Sequence, residues 1–304
     1  MTQLLNALPG ALAQGLIWSV MAIGVYITYK VLDIADLTVD GSICTGAAVC
    51  TMLLLGGQSP WLALLCAVLA GVLAGAVTGL LHVGLGIPPI LAGILTQMVL
   101  WSVNLKLLGK ANQALPARTT PVLLSQMDVG GALPVLLGFC VVLVALLVLF
   151  FGTELGCALR ATGCNPVMSR AQGVNTGLMK VVGLALSNGV VALSGALLCQ
   201  YQGYTDVNMG RGAVVIGLAA VVIGQAVLGR RGGRMAVQLG GVILGAVIYY
   251  IVYQVIIFAG FDTDLLKMFS AVVVAVFLGA PHVKAQLKAH SRSKKGDSGH
   301  AENE

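Results

Sequence analysis

The chain has 304 residues, and its composition excludes a water-soluble protein. Asp, Glu, Lys and Arg make up 9% of the residues, against about 25% in soluble globular proteins, and 58% are hydrophobic. Only helices and closed barrels satisfy their backbone hydrogen bonds in lipid, and the apolar runs are longer than the roughly 10-residue alternating segments of a barrel. The sequence therefore predicts an all-α, polytopic membrane protein.

The apolar runs predict about nine transmembrane helices, within a range of about eight to ten. Residues 41–105 contain no Asp, Glu, Lys or Arg, and turn signals at 56–60 and 84–89 divide them between three spans. The run at 209–228 is rich in glycine and follows a polar segment, so it could be a broken helix. The spans are expected near residues 10–30, 40–56, 60–83, 88–108, 132–151, 178–199, 209–228, 235–259 and 265–280.

Basic residues cluster at three places that we expect to be cytoplasmic, because Lys and Arg are enriched in cytoplasmic loops. The clusters are the loops 152–177 and 229–234 and the tail 282–304. Two spans separate each cluster from the next, so the three assignments agree. The outward-facing loops are then expected at 109–131, 200–208 and 260–264. Membrane orientation accounts for the net charge of +6, so no nucleic-acid partner is expected.

Two domains of different character follow from the distribution of charge. The tail 282–304 carries eight of the 28 charged residues and is expected to be basic, disordered and cytoplasmic. Residues 1–281 are then the transmembrane domain.

Three carboxylates, Asp33, Asp36 and Asp40, lie at the junction of the first two spans. Ionisable groups at membrane depth cost about 2.5–3.5 kcal/mol on insertion scales, so they usually face protein, water or a partner. One interpretation is a solvated cytoplasmic loop in which Asp40 or Ser42 caps the next helix. The other is an interrupted helix whose free backbone groups border a translocation path.

A second polar segment, residues 203–212, resembles the first in having an aspartate shortly before a glycine. By the count of spans the two segments lie on opposite membrane faces, which an inverted internal repeat would produce. An ion pair between Asp206 and Arg211 at a helix start is the structural alternative.

The predicted translocation path is bordered by both polar segments and by apolar side chains of residues 88–104. Its candidate residues are Asp36, Thr38, Asp40, Ser42, Gln97, Asp206, Asn208 and Arg211. Other polar residues within the spans, including Asn104, Asn188 and Gln200, are individually expected to form hydrogen bonds between helices. The series Gly71, Gly75 and Gly79 predicts a close-packed helix face.

The loop 152–177 is too polar to span a membrane and too long for a tight turn. Asn165-Pro166 predicts the start of a short helix that ends at Gly173. A short cytoplasmic helix between two spans is a docking element for another protein. A helix lying flat in the lipid headgroups is the alternative.

Three motifs together resemble the permease subunits of ABC importers in the branched-chain amino acid and ribose permease superfamily. Asp36-Leu-Thr-Val-Asp-Gly41 is similar to the signature after that family's first span, Leu155 to Gly173 to its coupling-helix region, and Ile216 to Gly224 to its Ile-Ala-Ala-Val-Val-Ile-Gly run. The likeness extends over roughly residues 10–280. Within the superfamily, residues 36–42 and 202–210 are similar to a branch linked to uptake of aromatic amino acids such as tryptophan or tyrosine.

The resemblance implies a bacterial inner-membrane permease that is not an enzyme and that works with separate chains. These are two ABC ATPase subunits, a second copy of the permease and an extracytoplasmic solute-binding protein. The sequence has no P-loop, so Mg-ATP would be bound by the ATPase subunits, and no cofactor or metal is expected in this chain. The residues expected to couple it to the ATPase are Glu154, Arg160, Thr162, Asn165, Arg170, Gln172 and Gly173.

The solute implied by the resemblance is an amino acid with an aromatic or branched side chain. One alternative is an ATP-independent secondary transporter or channel for a small organic solute, and another is a purely structural membrane subunit. A secondary carrier should have ion-coupling acids within its spans, and the sequence places none of its eleven acids clearly mid-span. A structural subunit does not need the docking loop 152–177.

Overall fold

The structure, a computed structural model, describes residues 2–116, 120–228 and 234–258, together with single positions at 268, 272, 275 and 279. Ten α-helices and two short β-strands lie in these ranges. A π-helical turn, Ile27–Val31, extends the first helix. The elements are α1 Thr2–Tyr26, α2 Val39–Leu55, α3 Pro60–Gly84, α4 Pro89–Leu108, β1 Asn112–Ala114, α5 Val129–Gly152, α6 Glu154–Cys164, α7 Pro166–Ala171, α8 Thr176–Gln202, β2 Tyr204–Asp206, α9 Ala213–Leu228 and α10 Met235–Phe258.

Six of the described helices are long and apolar enough to cross a membrane: α1 with its π-turn, α3, α4, α5, α8 and α10. Two further apolar helices, α2 and α9, have 17 and 16 residues. Together they coincide with the first eight predicted spans, and the prediction of an all-α, polytopic membrane protein is confirmed. Apart from single positions, the ninth predicted span at 265–280 lies outside the described residues, as do the loop 229–233 and the tail 282–304.

Local sequence signals set where several helices begin and end. The Ser59 hydroxyl accepts a hydrogen bond from the N–H of Leu62 at 3.4 Å, and Pro60 follows as the first residue of α3. Gly109 and Gly203 end α4 and α8 with φ of +70° and +76°, a backbone conformation that glycine adopts without strain. These turns explain why the span boundaries were readable from the sequence.

The two helices at the centre of the bundle are α1 and α8. Their most apolar stretches are 83% and 78% buried, whereas that of α5 is 22% buried. On α3, the series Gly71, Gly75 and Gly79 faces α8 so closely that a Cβ at Gly75 would collide with the carbonyl oxygen of Leu184. The predicted close-packed glycine face is therefore confirmed, and it joins α3 to α8.

Helices α1–α3 make the same contacts as α8–α10 when α1 is matched with α8, α2 with α9 and α3 with α10. The contact of α1 with α10 corresponds to that of α8 with α3, and the contact of α2 with α8 to that of α9 with α1. The contact of α3 with α2 corresponds to that of α10 with α9. α1 and α8 run in opposite directions, since Ser194 donates to the carbonyl of Ile17 and Ser187 to that of Gly24, each at 2.8 Å. An inverted repeat produces this pairing.

A two-stranded antiparallel sheet joins two connecting segments. β1 pairs with β2, and Gln113 lies opposite Thr205. The N–H of Leu115 also donates to the carbonyl of Gly203 at 2.8 Å. The sequence predicts that residues 109–131 and 200–208 both face outward, and the sheet places parts of both segments together at one end of the bundle.

Candidate functional site

The chain between α1 and α2 folds back into the bundle. After the π-turn, the N–H of Ile34 donates to the carbonyl of Thr28 at 2.9 Å, and Asp33 takes a positive φ of 55°. Farther along, a Cβ at Gly93 of α4 would lie 2.8 Å from the backbone nitrogen of Leu37. Asp36 is only 5% exposed. The interpretation of a solvated loop is therefore wrong for Asp36, and the structure shows an interrupted helix.

Asp36 lies at the centre of a buried polar network. Its Oδ1 accepts from the N–H of Thr38 at 2.8 Å, and its Oδ2 accepts from Nδ2 of Asn188 at 2.7 Å. The Ser42 hydroxyl donates to Oδ1 of Asn188 at 2.6 Å. Asn188 is the thirteenth of the 27 residues of α8, so the carboxylate lies level with the middle of a transmembrane helix. From the sequence no acid lies clearly mid-span, so the depth of Asp36 is set by the way the segment folds back against α8.

Three threonines continue the network across neighbouring helices. The hydroxyl of Thr38 lies 2.8 Å from that of Thr78 on α3, which donates to Thr96 on α4 at 2.9 Å. All three side chains are buried. Hydroxyl groups that bond to one another in this way satisfy polar atoms that would otherwise be unpaired inside the bundle.

The second interruption, residues 203–212, leads to the start of α9 inside the bundle. There the carboxylate of Asp40, which belongs to α2, accepts hydrogen bonds from the N–H groups of Gly212 and Val214, each at 3.0 Å. Gly210 packs directly on the carbonyl oxygen of Asp40, where a Cβ would not fit. The two interrupted helices therefore meet at their N-terminal ends.

A cleft of about 610 Å³ opens beside this meeting point. Three predicted path residues line it: Asp40, Gln97 and Arg211. One wall is formed by α4, whose residues were expected to complete the path. The full lining is Asp40, Gly41, Cys44, Ile94, Gln97, Met98, Trp101, Ser102, Asn104, Val207 and Arg211.

The structure places the other predicted path residues elsewhere. Asp36, Thr38 and Ser42 belong to the buried network rather than to the cleft lining. Asp206 accepts from the N–H of Asn208 at 2.6 Å, within its own loop, and neither side chain lines the cleft. A role for these five residues in the path stays a prediction.

Asn104 is a cleft residue whose part in the site was not predicted from the sequence. It is 1% exposed, and neither its Nδ2 nor its Oδ1 has a hydrogen-bond partner among the described residues. The expectation of an interhelical hydrogen bond is met by Asn188, which accepts from the hydroxyl of Ser42 on α2 at 2.6 Å, and by Gln200, whose Nε2 donates to the sulfur of Cys50 on α2 at 3.4 Å. For Asn104 that expectation is wrong.

The segment between α5 and α8 contains two helices, α6 and α7. Thr153 caps α6 through the N–H of Gly156 at 3.3 Å. Asn165 caps α7 by accepting from the N–H groups of Val167 and Met168, at 3.1 and 3.0 Å. Gly173 follows α7 with φ of +87°. The predicted short helix and its end at Gly173 are confirmed, whereas α6 is an additional helix.

The residues predicted to couple to an ATPase occupy different surroundings along this segment. Arg160 donates to the carbonyl of Phe151 at 3.1 Å, and Arg170 donates to the hydroxyl of Thr176 at 3.1 Å, so both also secure the segment to its neighbours. Thr162 is buried and donates to the carbonyl of Ala158 at 2.8 Å, whereas Glu154 and Gln172 are exposed. Sequence reasoning missed the apolar tip of α7, Val167 and Met168, which are 79% and 59% exposed.

Comparison with known proteins decides the family. Residues 8–280 match the model of branched-chain amino acid transport system permease components. The chain belongs to this permease family. The permease is also 38% identical to the tyrosine transport system permease protein of Clostridioides difficile (strain R20291) over 287 residues, which are 93% of this chain and 94% of that protein.

Two further relatives differ in how much of the permease they match. An uncharacterised protein of Rickettsia prowazekii (strain Madrid E) is 33% identical over 91% of this chain and 98% of its own length. The autoinducer 2 import system permease protein of Escherichia coli (strain K12 / DH10B) is 30% identical over 62% of this chain and 55% of its own length. No solved structure gives a significant match.

Family membership confirms the resemblance carried by the three motifs. The chain is the membrane-spanning permease component of a transport system, and a multi-pass protein of the bacterial inner membrane. The interrupted helices and the cleft are therefore features of a protein that moves a solute.

Proposed function

We propose that this permease is the membrane subunit of an ATP-driven importer that carries an amino acid with an aromatic or branched side chain. In this proposal two copies of the permease form the path, two ABC ATPase subunits bind their cytoplasmic faces, and an extracytoplasmic solute-binding protein delivers the amino acid. The observation that carries the proposal is the α6–α7 segment.

The α6–α7 segment has the properties of a lever between two spans. Both helices have side-chain N-caps, and Arg160 and Arg170 secure the segment to the end of α5 and the start of α8. Val167 and Met168 are left exposed at its tip, and exposed apolar side chains on a short rigid element suit insertion into a groove of another protein. A tip immersed in lipid headgroups would not need this anchoring.

Helix α8 can transmit a movement of the α6–α7 segment to the cleft. This helix begins five residues after α7 and carries Asn188, which holds Asp36 and Ser42. Asp36 in turn lies four residues before Asp40, the residue that caps α9 and lines the cleft. A rigid helix with a hydrogen-bonded network along its length is a physical route for coupling the two ends.

The choice of an amino acid rests on the whole-length likeness to a tyrosine transport system permease and on the cleft. Its volume of about 610 Å³ lies within the range of about 300–1,000 Å³ for small-molecule sites. Trp101, Met98 and Ile94 give it an apolar wall that suits an aromatic or branched side chain.

A second copy of the permease would close the cleft. The wall residues Met98 and Trp101 are 65% and 44% exposed, and their neighbour Val99 on α4 is 61% exposed. Two-fold pairing is by far the commonest symmetry of soluble homo-oligomers, and the same pairing here would place two such clefts around one axis.

An ATP-independent secondary transporter is the second candidate, and buried Asp36 is the observation that favours it. Its carboxylate lies at mid-depth, where an ion-coupling acid would be expected. However, Asp36 accepts hydrogen bonds from Thr38 and Asn188, which suits a structural carboxylate. ATP dependence of uptake separates the two candidates.

The test is uptake by the complete complex reconstituted in proteoliposomes. We expect radiolabelled tyrosine, tryptophan, phenylalanine or leucine to accumulate only when ATP is present on the ATPase side. The variant Val167→Glu with Met168→Glu should abolish uptake while the permease remains inserted. Leu85→Glu, a change of an equally exposed apolar residue in the α3–α4 turn, is the matched control and should transport normally.

Uptake that proceeds without ATP and collapses with an ionophore would establish the secondary transporter instead. Normal ATP-driven uptake by the Val167→Glu, Met168→Glu variant would contradict the docking role of α7. A complex that imports none of the four amino acids would contradict the proposed solute class.

A further inference from the structure

Asn104 is a fully buried polar group of the cleft that no described residue satisfies. Asn188, on α8, uses its amide for three hydrogen bonds, to Asp36, Ser42 and Leu184. Asn104 is equally buried, and its side chain forms none with the described residues. A buried amide without a partner destabilises the fold, so its presence needs a reason. Because Asn104 lines the cleft, a molecule entering the cleft can supply the missing partner.

Two charged groups line the same cleft. The guanidinium of Arg211 forms no hydrogen bond or ion pair with any residue in the described part of the chain, and the residue is exposed. The carboxylate of Asp40 accepts one N–H on each oxygen, which leaves each oxygen a further lone pair. The cleft therefore offers a cation, an anion and an amide that can both donate and accept.

The remaining wall of the cleft is apolar and belongs mainly to α4. Ile94, Met98 and Trp101 are 37%, 65% and 44% exposed. They lie on the same helix as Asn104, so one element presents both an apolar surface and the unpaired amide. Ligand sites commonly combine an apolar lining with a few polar groups that fix the orientation of the ligand.

We infer that the permease itself has a solute site in this cleft, which recognises the α-ammonium and α-carboxylate groups of an amino acid. Arg211 pairs with the carboxylate, Asp40 with the ammonium, and Asn104 hydrogen-bonds to one of these groups. Trp101 and Met98 contact the side chain of the amino acid. The inference rests on the proposed amino acid specificity and extends it, because it places part of the recognition in the permease rather than in the solute-binding protein alone.

The test is equilibrium binding of tritiated L-tyrosine to the purified permease–ATPase complex without the solute-binding protein. We expect measurable binding that unlabelled tyrosine displaces. Tyramine, which lacks the carboxylate, and 3-(4-hydroxyphenyl)propionate, which lacks the ammonium, should each displace it much less well. Wild-type complex that binds no tyrosine, or that binds these three compounds equally, would overturn the inference.

The variant Asn104→Leu separates a ligand contact from a structural role. It should weaken tyrosine binding about tenfold or more, since it removes a hydrogen bond to a charged group. It should also raise the midpoint of thermal unfolding of the ligand-free complex, because it removes an unpaired amide. Thr28→Val is the control: Thr28 is buried but does not line the cleft, its hydroxyl bonds to the carbonyl of Val25 on α1, 3.1 Å away, and neither property should change.

A lower unfolding midpoint in Asn104→Leu, together with dissociation of the permease pair in size-exclusion chromatography, would instead assign Asn104 to contact with a second copy and overturn the inference. Unchanged tyrosine binding by Asn104→Leu would also overturn the inference.

Arg211→Gln provides an independent measurement, since an exposed residue can change without loss of folding. This variant should reduce the ratio of tyrosine affinity to tyramine affinity, and an unchanged ratio would contradict the role of Arg211.

If the wild-type complex imports tyrosine with ATP but the Asn104→Leu complex binds tyrosine as tightly as wild type, the inference fails and the proposed function stands. If the wild-type complex imports no amino acid, the proposed function itself is contradicted.

Discussion

Asp40 of α2 caps α9, with its Oδ1 accepting a hydrogen bond from the backbone N–H of Val214 at 3.0 Å, 174 positions away in the sequence. A carboxylate at a helix N-terminus satisfies N–H groups that have no partner within the helix and interacts favourably with the helix dipole. One side chain therefore holds the two interrupted helices together beside the cleft.

The contribution of this cap can be measured with a change of charge alone. Asp40→Asn should lower the free energy of unfolding by about 1 kcal/mol, because the amide keeps an acceptor oxygen for only one N–H and loses the favourable interaction with the dipole. Thermal unfolding of the purified permease measures the effect. Asp33→Asn, an equivalent change at an exposed residue of the neighbouring segment, should leave the unfolding midpoint unchanged. Equal midpoints for the two variants would contradict the capping role.

Asn188 should be among the residues least tolerant of substitution. Asn188→Leu leaves a carboxylate oxygen of Asp36 and the hydroxyl of Ser42 without their partner inside the bundle. We expect a loss of about 3 kcal/mol or more, seen as a low yield of monodisperse protein in size-exclusion chromatography. Adding Asp36→Asn should recover part of the loss, because a buried neutral amide costs less than a buried unpaired charge. Strictly additive losses would show that the two residues act independently.

Glycine positions on two helices should respond oppositely to the same substitution. Gly75→Ala inserts a methyl group into the α3–α8 contact at the carbonyl of Leu184, and overpacking of this kind costs about 1–3 kcal/mol. At Gly138 of α5 a Cβ would meet nothing within 4 Å, so Gly138→Ala should stabilise the helix by up to about 1 kcal/mol. Unfolding midpoints in one detergent test the pair, and a stable Gly75→Ala variant would refute the close contact.

Weakening the cap of α7 should reduce energy coupling more than stability. Asn165→Ala removes the acceptor for two N–H groups and should cost α7 about 1 kcal/mol. In the reconstituted complex we expect ATP-driven uptake to fall several-fold while ATP hydrolysis continues. Asn165→Asp retains the acceptor and should transport normally. A loss of uptake in both variants would indicate a direct contact of the Asn165 amide rather than a capping role.

Features set by neighbouring residues were predictable from the sequence. Eight spans follow from runs of apolar residues, and their ends coincide with Ser59-Pro60, Gly109 and Gly203 because capping and left-handed turns depend on a few adjacent residues. The short helix after Asn165 is set in the same way by its cap and by Gly173. The polar segments that interrupt the spans are recognisable because polar residues rarely occur within apolar runs.

The partners of the buried polar groups depended on tertiary structure. Asp36 bonds to Asn188 across 152 positions, and Asp40 caps α9 rather than α2, since both pairings arise only when helices distant in sequence pack together. Asn188 and Asn104 are the same residue type, and each lies in an apolar stretch of the sequence, yet one has three hydrogen bonds and the other has none among the described residues. Hydrophobic patterning specifies which residues enter the membrane, whereas the geometry of helix packing decides what each buried polar atom faces, and so decides where the cleft lies.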